Sequence, residues 1–173
     1  MIHQIKWFDR QFSLDIPIRM FPNIVERLRA TPSFLQDRLA SLTTEVLTCR
    51  EGDKWSIQEN AGHLLDLEPL WMSRVQDFID GRETLQPADL TNKRTHEANH
   101  NSRPIETILE GFRLQRYDLV RRLEGLDEAI VMRTALHPRL KTAMRVIDMG
   151  YFVAEHDVHH MARVTELMRA QTK

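Results

Sequence analysis

The stretch AMRVIDMGYFVA, residues 143–154, is apolar nearly all round a helical turn. A helix with no polar face belongs at the centre of a packed structure. It runs straight into EHDVHHMARV, so one helix is predicted from about Thr142 to about Arg169. A central helix of that length needs partners, and the rest of the chain supplies three. The first helical region spans about Pro17 to about Leu47. Thr31-Pro32 interrupts it and reads as a restart, with Thr31 as N-cap and Pro32 at the first helical position. The second helix opens on Ser56-Ile57-Gln58-Glu59, a capping box in which hydroxyl and carboxylate each satisfy the other residue's amide. Ile57, Leu64, Leu67, Trp71, Val75 and Phe78 then share one face, and the helix is expected to end near Gly81. Pro69 inside it removes a hydrogen bond and predicts a kink. The third helix is predicted from near Pro104 to about Gly125, and residues 126–141, with Pro138, read as irregular.

Val, Ile, Tyr and Phe form no alternating runs, and glycine is sparse, with 6 residues. The expected fold class is all-α: one domain over residues 1–173, built as a helix bundle. A polar connection from about Gly81 to Arg103 crosses between the second and third helices. Connections that long often cover functional sites.

Lys plus Arg total 24 and Asp plus Glu total 25, for a net charge of -1. That balance gives no electrostatic reason to expect nucleic acid or an anionic membrane as partner. No apolar run approaches the roughly 20 residues that span a bilayer. The first twenty residues have no uninterrupted apolar core, so no signal peptide is expected. Cys49 is the single cysteine. An intrachain disulfide is impossible, the expected compartment is the reducing cytoplasm, and Cys49 is expected to be a small buried apolar residue.

Two histidine clusters compete as metal sites. His96-Glu97-Ala98-Asn99-His100 matches the H-E-x-x-H pattern of zinc peptidases. Its context, TNKRTHEANHNSR, holds no Val, Ile, Leu, Met or Phe, so no apolar face exists to bury such a helix. The expected role is a solvated connection, which could fold over a site elsewhere and lend it His96, Glu97 or His100. In EHDVHH, His156 and His160 are four residues apart and lie on one helix side. Met149, Phe152, Val153, Val164 and Leu167 continue that side, so both imidazoles should point inward, a geometry suited to metal ligands. His159 lies about 60° to the side of His156 and is the weaker candidate. His63 is the best third ligand, one turn before Leu67 on the second helix. Glu59 and Asp66 flank it, and either carboxylate could fix the imidazole tautomer.

WSIQENAGHLLDLEPLW (55–71) resembles the conserved segment of DinB/YfiT-like proteins, a Trp-Ser helix start followed by a His-Leu pair. AEHDVHHMARV (154–164) resembles that family's last-helix segment, and HPRL (137–140) its preceding stretch. The resemblance implies an up-down four-helix bundle holding a divalent metal on three histidines. Residue by residue, these fall on His63, His156 and His160.

Three neutral imidazoles leave a divalent ion's charge uncompensated. Such an ion can bring bound water to a pKa near about 7, or hold a thiol as its reactive thiolate. The first chemistry is that of a metal-dependent hydrolase. The second is that of a transferase or isomerase using a low-molecular-weight thiol, an activity the resemblance also implies. Ligand type permits zinc, nickel or iron. Glu59, Asp66, His159 and Arg74 are the candidate polar neighbours. Their bland alternatives are a helix cap for Glu59 and a solvated edge for Asp66 and Arg74. A non-catalytic metal-binding or stress-related protein is the alternative function, and a pure interaction module a third. Small-molecule substrate and homodimer formation through a helix face complete the expected partners.

Overall fold

The computed structural model describes residues 4–171. Four long helices form the expected bundle: α1 (Phe21–Leu39), α2 (Ile57–Ile79), α3 (Ile105–Glu124) and α4 (Val146–Gln171). α1 packs on α3 and α4, and α2 packs on the same two. α1 therefore lies across the bundle from α2, and α3 from α4, while α2 and α3 are packed neighbours. This arrangement sets α2 against α4, the two helices that carry His63, His156 and His160.

The expected restart at Thr31-Pro32 does not occur, because α1 continues through Pro32. Proline has no amide proton, so the carbonyl of Leu28, four residues back, loses its helical donor. Arg116 Nη1 comes within 3.4 Å of that oxygen and replaces it. The Thr31 hydroxyl caps nothing and instead lies 3.1 Å from the Arg27 carbonyl and 3.1 Å from the Asp157 carboxylate. A separate short helix, Thr44–Thr48, follows α1. Cys49 at its end is exposed, not buried as expected.

α2 starts as its sequence dictates. Glu59 N donates to Ser56 Oγ at 3.1 Å, and Ser56 N donates to Glu59 Oε2 at 2.9 Å. α2 runs unbroken from Ile57 to Ile79 with Pro69 inside it. Residues 126–145 are more ordered than expected. A one-turn helix, Glu128–Val131, is capped by Asp127. An antiparallel hairpin follows, β1 (Thr134–His137) with β2 (Thr142–Arg145), in a register that pairs Thr134 with Arg145. The hairpin takes the residues expected to open the last helix, so α4 begins at Val146, where Asp148 accepts the Arg145 amide at 3.0 Å. β1 alternates outward and inward, turning Ala135 and His137 inward.

The bundle's apolar interior is split in two by a polar layer. Along every helix a buried polar residue of this layer lies between the two clusters: Thr31 between Leu28 and Leu35, Glu68 between Leu65 and Trp71, Arg116 between Phe112 and Leu119, Asp157 between Val153 and Val164. Arg116 Nη2 donates to Glu68 at 2.6 Å and its Nη1 to Asp157 at 2.5 Å. One guanidinium thus joins all four helices. Among the described residues no helix is long and apolar enough to cross a membrane.

Candidate metal centre

The contact of α2 with α4 brings His63, His156 and His160 together. Each offers a ring nitrogen, and the three atoms lie within 4.8 Å of one another. Ring centroids are 5.3 Å apart for His63 and His156, 4.7 Å for His63 and His160, and 4.6 Å for His156 and His160. All three side chains are buried.

The surroundings fix two of the three tautomers. Thr95 Oγ1 donates its one proton to Asp66 Oδ2 at 2.9 Å. It can therefore only accept from His63 Nδ1, 3.0 Å away, which puts the His63 proton on Nδ1 and leaves Nε2 with a free lone pair. Asn60 Nδ2 donates to the Ser56 carbonyl at 2.7 Å, so Asn60 Oδ1 faces His160 Nδ1 at 2.9 Å and accepts its proton. His160 Nε2 is left as the free donor atom. Partners of this kind orient imidazoles for coordination. His156 Nδ1 is buried with no hydrogen-bond partner. An orphaned nitrogen of this kind is costly in a protein interior unless a ligand serves it.

The charges agree with the geometry. Burial pushes the His63 pKa down to about 4, against the pull of Asp66. Burial, reinforced by the other imidazoles, holds His156 and His160 well below the usual histidine value. All three rings are neutral at pH 7, the form that ligates metals. The donor set, the held tautomers and the orphaned nitrogen fit a divalent ion.

The connection between α2 and α3 is the lid of this site. Its short helix, Lys93–Glu97, carries Thr95 inward, and a turn at His100–Ser102 carries His100 inward. His100 Nε2 donates to Asp66 Oδ2 at 2.8 Å. Its ring sits where a side chain at position 62 would be, since a Cβ built on Gly62 would fall inside the ring's van der Waals surface. Asn99 between His96 and His100 takes φ 48°. The two histidines are therefore not one helical turn apart on one face. His96 and Glu97 are exposed while His100 is buried, which is not how a peptidase motif is built.

The remaining candidates divide. Asp66 acts on His63 through Thr95 rather than directly. Burial works against its charge, yet His100 and Thr95 hold its carboxyl below the usual range. The Glu59 carboxylate is turned to the Ser56 amide and to Arg50. His159 is half-buried and lines a cavity of about 380 Å³ beside the three histidines. Trp7, Trp55, Trp71 and Phe152 are among the residues of that cavity's apolar wall. Arg74 lines it too and is fully buried, not a solvated edge. Sequence reasoning missed Asn60 and Thr95. Asn60 lies three residues before His63 and so shares its helical side, a usable signal. Nothing local marks Thr95.

Comparison with curated proteins yields no match. Among solved structures, one similar fold is YfiT from Bacillus subtilis, described as a probable metal-dependent hydrolase with an unusual four-helix bundle topology. It is 20% identical, with a TM-score of 0.76 over 94% of each chain. Another is the mycothiol-dependent maleylpyruvate isomerase, 11% identical, with a TM-score of 0.66 over 85% of this chain and 60% of that one. The pattern of the DinB superfamily matches residues 27–164, a span that includes all three clustered histidines and both elements that orient them. By its sequence over most of its length, and by the bundle it forms, the chain belongs to the DinB superfamily.

Proposed function

We propose that the chain, acting as one domain over residues 1–173, holds a divalent ion on His63, His156 and His160 and uses it to activate a low-molecular-weight thiol toward a small-molecule substrate. The supporting observation is the way three neutral imidazoles meet at an aromatic cavity. Asp89 is the one carboxylate among the described residues lining it, and its oxygens are occupied by Thr91 and Lys93. When bound, the ion supplies Lewis acidity, which lowers the pKa of a thiol or water that it holds. A thiol deprotonated in this way needs no carboxylate base in the wall. The chain's own contribution is orientation and dryness. Thr95 and Asn60 hold the rings, and Trp55, 4.7 Å from His63, and Trp7, 5.0 Å from His156, exclude water.

A second reading, a metal-dependent hydrolase, is favoured by His159. Its imidazole lines the cavity, and burial lowers its pKa and keeps the ring neutral, so it can take a proton from an attacking water. YfiT and the isomerase carry these two chemistries in their descriptions. A non-catalytic metal-binding or stress-related role is the alternative, and the cavity beside the histidines speaks against such a closed site. Zinc, nickel and ferrous iron all suit three imidazoles. The reading implies a cytoplasmic setting, where small thiols stay reduced.

Elemental analysis of untagged protein tests the ligand set. One equivalent of metal is expected in the parent and in His96→Ala, and little in His63→Ala, His156→Ala or His160→Ala. Metal retained by the last three variants would overturn the assignment. Titration of cobalt-loaded protein with cysteine then tests the thiol. New thiolate-to-metal absorption is expected, and an unchanged spectrum leaves the hydrolase reading.

A further inference from the structure

The cavity has a second polar wall that metal binding does not explain. Arg74 projects from α2, and His137 and Arg139 come from the end of β1 and the turn after it. Arg74 is 1% exposed. Among the described residues no carboxylate lies within ion-pair distance of it, and its hydrogen bonds go to the Gln86 carbonyl at 2.9 Å and toward His137 Nε2 at 3.2 Å. The charge of Asp77, three residues on along α2, reaches it only from beyond that distance, and a buried guanidinium without a direct counter-ion is a costly arrangement.

The contact with His137 makes the cost greater. His137 Nδ1 accepts two backbone amides, from Arg139 at 3.3 Å and Leu140 at 3.1 Å. A neutral imidazole has one proton, so with Nδ1 accepting it must sit on Nε2. That N–H then faces the Arg74 Nη1 donor, with no acceptor between them. Arg139 adds a third donor. Its Nη2 is buried and has no partner, and its guanidinium is held 5.3 Å from the Phe8 ring and 5.9 Å from the Phe152 ring. Two cations and three N–H donors thus line one apolar cavity without an acceptor among them. The arrangement lacks one small planar anion.

We infer that this wall is a carboxylate subsite: Arg74, Arg139 and His137 Nε2–H dock a carboxylate of the small molecule that enters the cavity. The assignment rests on the reading of the cavity as a substrate site and names its substrate class, an organic acid. A planar fork of two oxygens matches guanidinium donors. A phosphate dianion would lose far more hydration against walls of Trp7, Phe8, Trp71 and Phe152. The carboxylate belongs either to the thiol or to the molecule that the thiol attacks, and one experiment separates the two.

Calorimetry on the zinc-loaded full chain compares two probe pairs: 3-mercaptopropionate with 3-mercapto-1-propanol, and 3-phenylpropionate with 3-phenylpropanamide. At least one acid is expected to bind about tenfold more tightly than its neutral counterpart, the gain of a charge-assisted hydrogen bond. A preference within the thiol pair assigns the carboxylate to the thiol, and one confined to the phenyl pair assigns it to the acceptor. Arg139→Gln should abolish the preference. Arg139→Lys should keep part of it, and serves if the first variant is poorly folded. The preference should survive in His63→Ala and after chelation of the metal, so failure of the metal reading leaves this test intact. Equal binding of acid and neutral probe in both pairs overturns the subsite. So does a preference that persists in Arg139→Gln and disappears with the metal.

Discussion

Two buried polar groups lie close together in this bundle and are built in opposite ways. In the Glu68–Arg116–Asp157 group both carboxylates meet one guanidinium, and burial, with Asp157 nearby, raises Glu68 to about 7. Arg116 bonds both carboxylates and the Leu28 carbonyl that Pro32 leaves unpaired. Burial opposes the arginine's charge, but Asp157 and Glu68 outweigh it and raise its pKa. In the histidine group, by contrast, the rings are held on one nitrogen and left free on the other, or left without a partner at all. His156 and Asp157 are sequence neighbours, yet one belongs to each group. The difference separates structure from chemistry. A satisfied buried network fixes helices, and unsatisfied donor atoms held in place await a ligand.

The comparison can be broken most forcefully at Arg116. Arg116→Met leaves two carboxylates buried without a cation, and should lower stability by about 3 to 5 kcal/mol in denaturant unfolding. A loss under about 1 kcal/mol would mean that the four-helix tie is incidental. The second test is pH. Burial, then Arg74 and Arg139, push His137 down to about 3, and burial pushes His63 to about 4. Unfolding returns both to near 6.5, so the unfolded chain binds protons that the folded chain refuses. Their contribution is therefore complete above pH 6.5 and lost as pH falls toward 3. For metal-free protein, His137 alone removes on the order of 2 kcal/mol by pH 5. His137→Gln should flatten the slope of unfolding free energy against pH in that window, and an unchanged slope contradicts the neutral ring.

Thr95→Val sharpens the comparison at the metal side. It removes the acceptor of His63 Nδ1–H and a donor to Asp66. Zinc affinity by competition titration should fall about 10- to 100-fold with little change in fold. Unchanged affinity would remove Thr95 from the site. The smallest effect is expected at the start of α2, where Ser56 serves Asn60 through its main-chain carbonyl and not its side chain. Ser56→Ala opens the capping box and should cost about 1 kcal/mol of stability while leaving metal affinity alone.

Much of this was legible in the chain. The capping box marked where α2 starts, and the apolar face through Leu64, Leu67 and Trp71 put His63 at its edge. The apolar side of the last helix pointed His156 and His160 inward. Other features were hidden for physical reasons. The hairpin of residues 134–145 is two strands of four residues, too short to impose a pattern, with Pro138 at its turn. Pro32 looked like a boundary because its missing hydrogen bond is made good by Arg116, 84 positions away in the sequence. Arg116 itself was readable in principle, since it falls in phase with Phe112, Leu119 and Leu123, where a solvated charge does not belong. Thr95 had no such signal, because only the folded connection brings it to His63.

Gly62 sets a limit on how this protein can change. The ring of His100 is parked in the notch that the missing side chain leaves. A single methyl group there would force the His100 ring out of the notch and away from Asp66, unsettling the carboxylate that also holds Thr95 and so loosening His63 from a distance. The lid and the helix beneath it must therefore vary as a pair, and a relative with a bulkier residue at this point needs a different way to steady its first histidine.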